Sequence, residues 1–221
     1  MDVIQLVQTI AIYAPPVLFA ITLHEAAHGY VARHFGDITA HAQGRISLNP
    51  LRHIDMVGTI IVPLLILVTS KLAGGAGLLF GWAKPVPVNY SALRRPRQHM
   101  IWVAAAGPGA NLAMAICWAA LFKLASELPA NFFSLPMLQM ARAGIQVNVI
   151  LMLLNLLPIL PLDGGRIVAN LLPQRVALRY AKLEPWGFPI LLLLLFTSVL
   201  GVILAPMISF SYRVIGTMFR I

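Results

Sequence analysis

Two histidines one helical turn apart, with a glutamate between them, stand inside strongly apolar sequence. The stretch "LHEAAHGY" (residues 23–30) places His24, Glu25 and His28 between "APPVLFAIT" and "VARHFGD". The i, i+4 spacing sets both imidazoles on one face of a helix, where two ring nitrogens can hold one zinc ion. Glu25 lies beside them, able to serve the water such an ion activates rather than to bind the ion. A bare HExxH match is short, but the setting sharpens it. Ionisable groups inside a membrane helix cost about 2.5–3.5 kcal/mol each on insertion scales, so three in close sequence require a compensating partner. A divalent cation is one.

A catalytic zinc takes a third protein ligand and keeps one position open for water. The carboxylates outside the motif are Asp2, Asp37, Asp55, Glu127, Asp163 and Glu184. Asp37 and Asp55 read as interfacial charges in the loop after the first apolar segment. Asp163 differs, because it ends the run "NLLPILPLDGGR". Pro158 and Pro161 open the helix into extended backbone there, and Gly164 and Gly165 permit a sharp turn after the carboxylate. Asp163 is therefore the leading third ligand. His34, His41, His53 and His99 remain rivals, each in or beside a basic loop. Cys117 is the only cysteine, which excludes an internal disulfide and any cysteine-based metal site, and it reads as a small buried hydrophobe.

The elements that must position these groups are membrane helices. Of 221 residues, 59% are hydrophobic and 10% charged, and the mean hydropathy is +0.84. A soluble domain of this length has too little interior for so much apolar surface. The sequence predicts an all-α multi-pass membrane protein forming one domain over residues 1–221. Its catalytic core covers about 3–172, and its C-terminal helix about 188–209. Four spans are expected, over 3–31 (bent at Pro15 and Pro16), 99–124, 144–157 and 188–209. The net charge of +9 concentrates in segments 33–52, 84–97 and 166–182. The positive-inside rule assigns these to the cytoplasm, facing anionic lipid headgroups rather than nucleic acid. The stretch 57–82 then has cytoplasmic flanks on both sides. It is expected to re-enter, the alternative being a fifth span, with room nearby for a small membrane-associated β-hairpin. In this topology the first span and the 144–157 span run parallel, and their C-terminal ends meet at the cytoplasmic face. Counting nine residues from Arg33 at 1.5 Å each puts His24 about 13 Å beneath that interface.

"HEAAH" in the first span together with "NLLPILPLDGG" in a later one resembles the site-2 protease family of intramembrane zinc metalloproteases. "AAAGPGANL" is similar to that family's glycine–proline element, and "GRISLNPLRHID" and "GWAKPVPVN" to its compact bacterial members. The resemblance implies one zinc per chain, held by His24, His28 and Asp163, with Glu25 as catalytic acid/base. It also implies that Asn155 helps hold the substrate backbone, and Asn111 is a weaker candidate for substrate contact. The implied activity is hydrolysis of peptide bonds within or near transmembrane segments, in regulated intramembrane proteolysis. The partners are then the lipid bilayer and a transmembrane protein substrate, with a second copy or an accessory membrane protein as further candidates. The implied location is the cell membrane, with the active site toward the cytoplasm. A metal transporter or sensor, or a catalytically silent membrane scaffold, is the competing reading. Transport favours ionisable groups spread through the membrane, whereas here they gather near one face.

Overall fold

The helix that carries both histidines, α1 (Val3–His34), passes Pro15 and Pro16 without interruption and outruns the expected 3–31. Gly36 ends it in a left-handed conformation (φ +110°), which lets the Asp37 amide donate back to the Ala32 carbonyl at 3.0 Å. In the computed structural model residues 3–62, 65, 83–131 and 133–221 are described. After α1 the long elements are α2 (Pro96–Glu127) and α3 (Ser134–Asn155). The shorter α4 (Asp163–Leu171), α5 (Gln174–Ala181) and α6 (Glu184–Phe196) follow, and α7 (Val199–Phe219) closes the chain.

Among the described residues four helices are long and apolar enough to cross a membrane: Val7–His34, Pro96–Glu127, Ser134–Asn155 and Val199–Phe219. All four differ from the sequence expectation at their ends, and two of them by more than a few residues. α3 begins ten residues before the expected 144, because Asn131 accepts from the Phe133 and Ser134 amides and fixes the helix start. The helix expected over 188–209 is two helices. Thr197 returns its hydroxyl to the Leu193 carbonyl at 2.7 Å, and Ser198 turns left-handed at φ 61°. The 13 residues of α6 rise only about 20 Å, short of a full crossing, so α7 is the fourth span.

α1, α2 and α3 pack on one another through small residues. Ala20, Ala32, Ala115, Ala119 and Ala141 are fully buried, and a side chain at Gly144 would run into the Trp118 ring, 2.3 Å away. Such close backbones suit helix association in lipid, where van der Waals contact replaces the hydrophobic drive. The pairings fix direction. Ala32 packs with Met100 and Val103, and the Asn111 amide bonds both the Ala20 carbonyl and Asn148. α2 is therefore antiparallel to α1 and α3, which run parallel to each other. α7 adds Leu200, Leu204 and Ile215 to the apolar cluster of α2 and α3.

Of the expected re-entrant or fifth element at 57–82, residues 63, 64 and 66–82 lie outside the described residues. Its start is a π-helical turn, Met56–Ile61, capped by the Asp55 carboxylate on the Gly58 amide. No strand occurs among the described residues, so the β-hairpin has no counterpart there, and 45–47 is irregular loop. Cys117, expected buried, is exposed on α2.

Candidate metal centre

The parallel course of α1 and α3 brings the loop after α3 against the face of α1 that carries the histidines. His24 Nε2 and His28 Nε2 are 3.1 Å apart, and Asp163 Oδ2 lies 3.2 Å from the first and 3.4 Å from the second. All three residues are buried, at 8%, 9% and 7% exposure. Tetrahedral ligands at about 2.0–2.1 Å from zinc stand roughly 3.3 Å from each other, and this triangle has that size.

The far side of each ring decides what those atoms carry. His24 Nδ1 sits 2.6 Å from Asn111 Oδ1, and His28 Nδ1 sits 2.7 Å from the Val103 carbonyl. Both partners only accept, so both Nδ1 atoms hold the proton and both Nε2 atoms present lone pairs. Among the described residues Asp163 Oδ2 has no hydrogen-bond donor. Three buried lone pairs converge with no proton between them, which is unfavourable unless a cation joins them. The donor set fits zinc.

Gly107 makes the space. A Cβ there would lie 2.5 Å from His28 Nε2 and 2.6 Å from His24 Nε2, so any side chain on α2 at this level would fill the position between the ligands. Gly164 and Gly165 serve packing rather than the sharp turn expected of them. Both lie within α4, and Cβ atoms would fall 2.2 Å from the Leu156 carbonyl oxygen and 2.5 Å from the Leu160 amide nitrogen. Asp163 is therefore the first residue of a helix, and the preceding 156–162 is a loop of turns and bends rather than the expected extended backbone, reaching an extended conformation only at Leu162. Tyr180 on α5 steadies that loop through a 2.8 Å bond from its hydroxyl to the Pro158 carbonyl. Burial pushes its phenol up.

Glu25 accepts from the Val86 amide at 2.8 Å. That amide belongs to an irregular segment, 83–89, which Arg45 in the loop after α1 holds through its guanidinium on the Lys84 and Pro85 carbonyls. Asn155, at the end of α3, donates to the Leu151 carbonyl at 2.9 Å. Asn111 does not suit substrate contact. It is fully buried, and its amide is committed to His24, Ala20 and Asn148.

The rival ligands go elsewhere. His41 meets Arg33, buried His53 bonds the Ser47 carbonyl, and His99 stacks on Phe35. Asp37 is fully buried rather than interfacial, its carboxylate accepting from the Thr39 and Asn89 amides. Among the described residues, His24, His28 and Asp163 are the one group of three such side chains with converging donor atoms. Sequence reasoning passed over Gly107, Asn148 and the Val86 amide. Asn148 was visible as one of the few amides, with Gln146 and Asn155, in an apolar span, and such groups are paired when buried.

A model of Peptidase family M50 matches residues 127–198, which include α3 and Asp163. The chain is 39% identical to "Putative zinc metalloprotease YwhC" of Bacillus subtilis, over 87% of this chain and 84% of that protein. It is 35% identical to the protein of Mycolicibacterium smegmatis named in the same way as Rip2, over 83% of this chain and 66% of that one. No solved structure matches.

Proposed function

Because the chain belongs to the M50 peptidases, the site-2 protease family of zinc metalloproteases, we propose that it is an intramembrane endopeptidase acting on transmembrane segments of other proteins. One zinc per chain is held by His24, His28 and Asp163, and Glu25 is the catalytic acid/base. The reading rests on one observation above all, the convergence of three buried lone pairs on the space that Gly107 leaves open.

Bound zinc supplies Lewis acidity, activating a water and polarising a peptide carbonyl. The chain's own residues do the rest. Glu25 takes a proton from the attacking water and delivers it to the leaving nitrogen as the C–N bond breaks, giving a carboxylate and an amine. The Val86 amide holds the Glu25 carboxylate through Oε2, so the base is aimed before substrate arrives. A transmembrane helix hides its carbonyls in i to i−4 bonds and must unwind to be cut, and the freed peptide groups need partners in the site. Asn155, whose amide nitrogen already bonds Leu151, keeps its carbonyl oxygen for a substrate N–H.

The site faces the cytoplasm in this reading. The basic segments gather at the metal end of the bundle, where Arg94 binds the His34 carbonyl and Arg97 binds the Asn170 and Leu172 carbonyls. That clustering matches the positive-inside rule, and regulated intramembrane proteolysis is the setting that suits it. Glu25→Gln is the test. It is expected to abolish cleavage of a single-pass substrate while zinc stays at one per chain, and undiminished cleavage would remove Glu25 from the mechanism.

A further inference from the structure

Behind His24 lies a chain of amides that runs back to the main chain of α3. Asn148 Nδ2 donates to the Gly144 carbonyl at 2.9 Å, which turns Asn148 Oδ1 outward. That oxygen accepts from Asn111 Nδ2 at 3.0 Å, and a second Asn111 hydrogen goes to the Ala20 carbonyl at 3.3 Å. With its nitrogen so engaged, Asn111 presents its oxygen to His24 Nδ1 at 2.6 Å. Asn111 and Asn148 are both 0% exposed, so bulk water does not reach their partners.

The order of donors and acceptors along this chain is not arbitrary. An amide side chain can sit either way round, and only its partners decide which end faces where. The Gly144 carbonyl can only accept, so it sets Asn148. Asn148 sets Asn111, and Asn111 sets the imidazole. Reversing Asn111 would bring its NH2 against His24 Nδ1, move the ring proton to Nε2 and remove the lone pair that faces His28 and Asp163.

We infer that Asn148 is a positioning residue for the metal centre: it holds the Asn111 amide oxygen toward His24 and thereby keeps His24 Nε2 free to bind a cation. This rests on the proposed zinc site. Partners that orient a ligating histidine are worth roughly 10- to 100-fold in metal affinity. The role belongs to Asn148 even though its side chain lies on a different helix from either histidine and touches neither.

Two substitutions separate this role from simple packing. Asn148→Leu keeps the branched outline of the side chain, at somewhat larger volume, and removes both the donor and the acceptor. Asn148→Asp, neutral in so buried a place, keeps both the shape and the order of groups, its OH donating to Gly144 and its carbonyl accepting from Asn111. Zinc affinity is measured by chelator competition on the full-length chain in detergent, with thermal stability recorded alongside. The expected order is wild type and Asn148→Asp close together, and Asn148→Leu weaker by roughly 10- to 100-fold. A packing role predicts the reverse, with Asn148→Leu retaining affinity, and that result would overturn the proposal. If Asn148→Leu does not fold, Asn148→Ala takes its place against Asn148→Asp with the same expected order. A wild-type chain that binds no zinc would overturn the metal reading and this inference together, whereas equal affinity in all forms would overturn this inference alone.

Discussion

The bundle around His24 and the C-terminal pair α6–α7 look alike in hydropathy, yet they are held together differently. Around His24 the helices bury His24, His28, Asn111, Asn148 and Asp163, and each has a partner on another element or faces the metal position. In α6 and α7 the buried residues are Gly187, Leu191, Leu200, Leu204 and Ile215. Much of the rest is open to lipid, Leu193, Val202 and Phe210 among the most exposed. The first region is specified by directional bonds and close glycine contacts, the second mainly by apolar surface, with Gly187 against the Leu160 carbonyl as its close glycine contact. Substitutions should therefore be felt sharply in one and weakly in the other.

The largest effect is expected at Gly107. An added methyl would sit against both Nε2 atoms, so Gly107→Ala is expected to purify as a membrane protein without zinc. Gly109 lies on the same helix with nothing within 4 Å of an added Cβ, so Gly109→Ala is expected to keep its zinc. Metal content of the two purified variants checks the pair. Equal zinc in both would mean that the α2 backbone does not bound the metal position.

Gly187→Ala probes whether the two regions are separable at all. Although it belongs to α6, its Cβ would fall 1.5 Å from the Leu160 carbonyl oxygen, within the loop that leads to Asp163. Relieving that overlap must move α6 or the loop, and overpacking of this kind costs about 1–3 kcal/mol. A lower melting temperature together with weaker zinc binding is expected. Lost stability with unchanged zinc affinity would show that the Asp163 loop does not depend on the C-terminal pair.

A smaller loss is expected when a single bond in the same loop is removed. Tyr180→Phe deletes the hydroxyl that binds the Pro158 carbonyl, worth about 1 kcal/mol. Chemical denaturation should show that decrease. A change within error would mean water replaces the bond at this partly exposed position.

The contrast also explains what could be read from sequence. His24, His28 and Asp163 stood out because charged groups in apolar sequence are costly, so their clustering carried information before any fold was known. The parallel course of α1 and α3 followed from the distribution of arginines. Asn148 carried the same kind of signal but was passed over, since one uncharged amide is cheaper to bury than a charge. Gly107 could not be told from Gly109 because their difference lies in which helix face meets α1, and that depends on packing. In the C-terminal pair hydropathy is uniform on both sides of Thr197 and Ser198, so a window of apolar residues had no reason to break there. The start of α3 was missed for a different reason: Gln139 and Arg142 interrupt the apolar run before Gly144, so hydropathy leaves the first turns fixed by Asn131 outside the span.

The smallest effect is expected in α7, with the opposite sign. Gly201 lies within the helix, and nothing stands within 4 Å of an added Cβ. Glycine within a helix is less stable than alanine by roughly 0.5–1 kcal/mol, because the unfolded chain has more freedom to lose. Gly201→Ala should therefore raise stability by about that amount, while zinc affinity and cleavage stay at wild-type values. The same substitution type thus empties the metal centre at Gly107 and strengthens a lipid-facing helix at Gly201, by virtue of what each α-carbon faces. If Gly201→Ala instead lowered activity or stability, α7 would have a close neighbour at that face, such as a second copy or another membrane protein, and its specification mainly by apolar surface would be wrong.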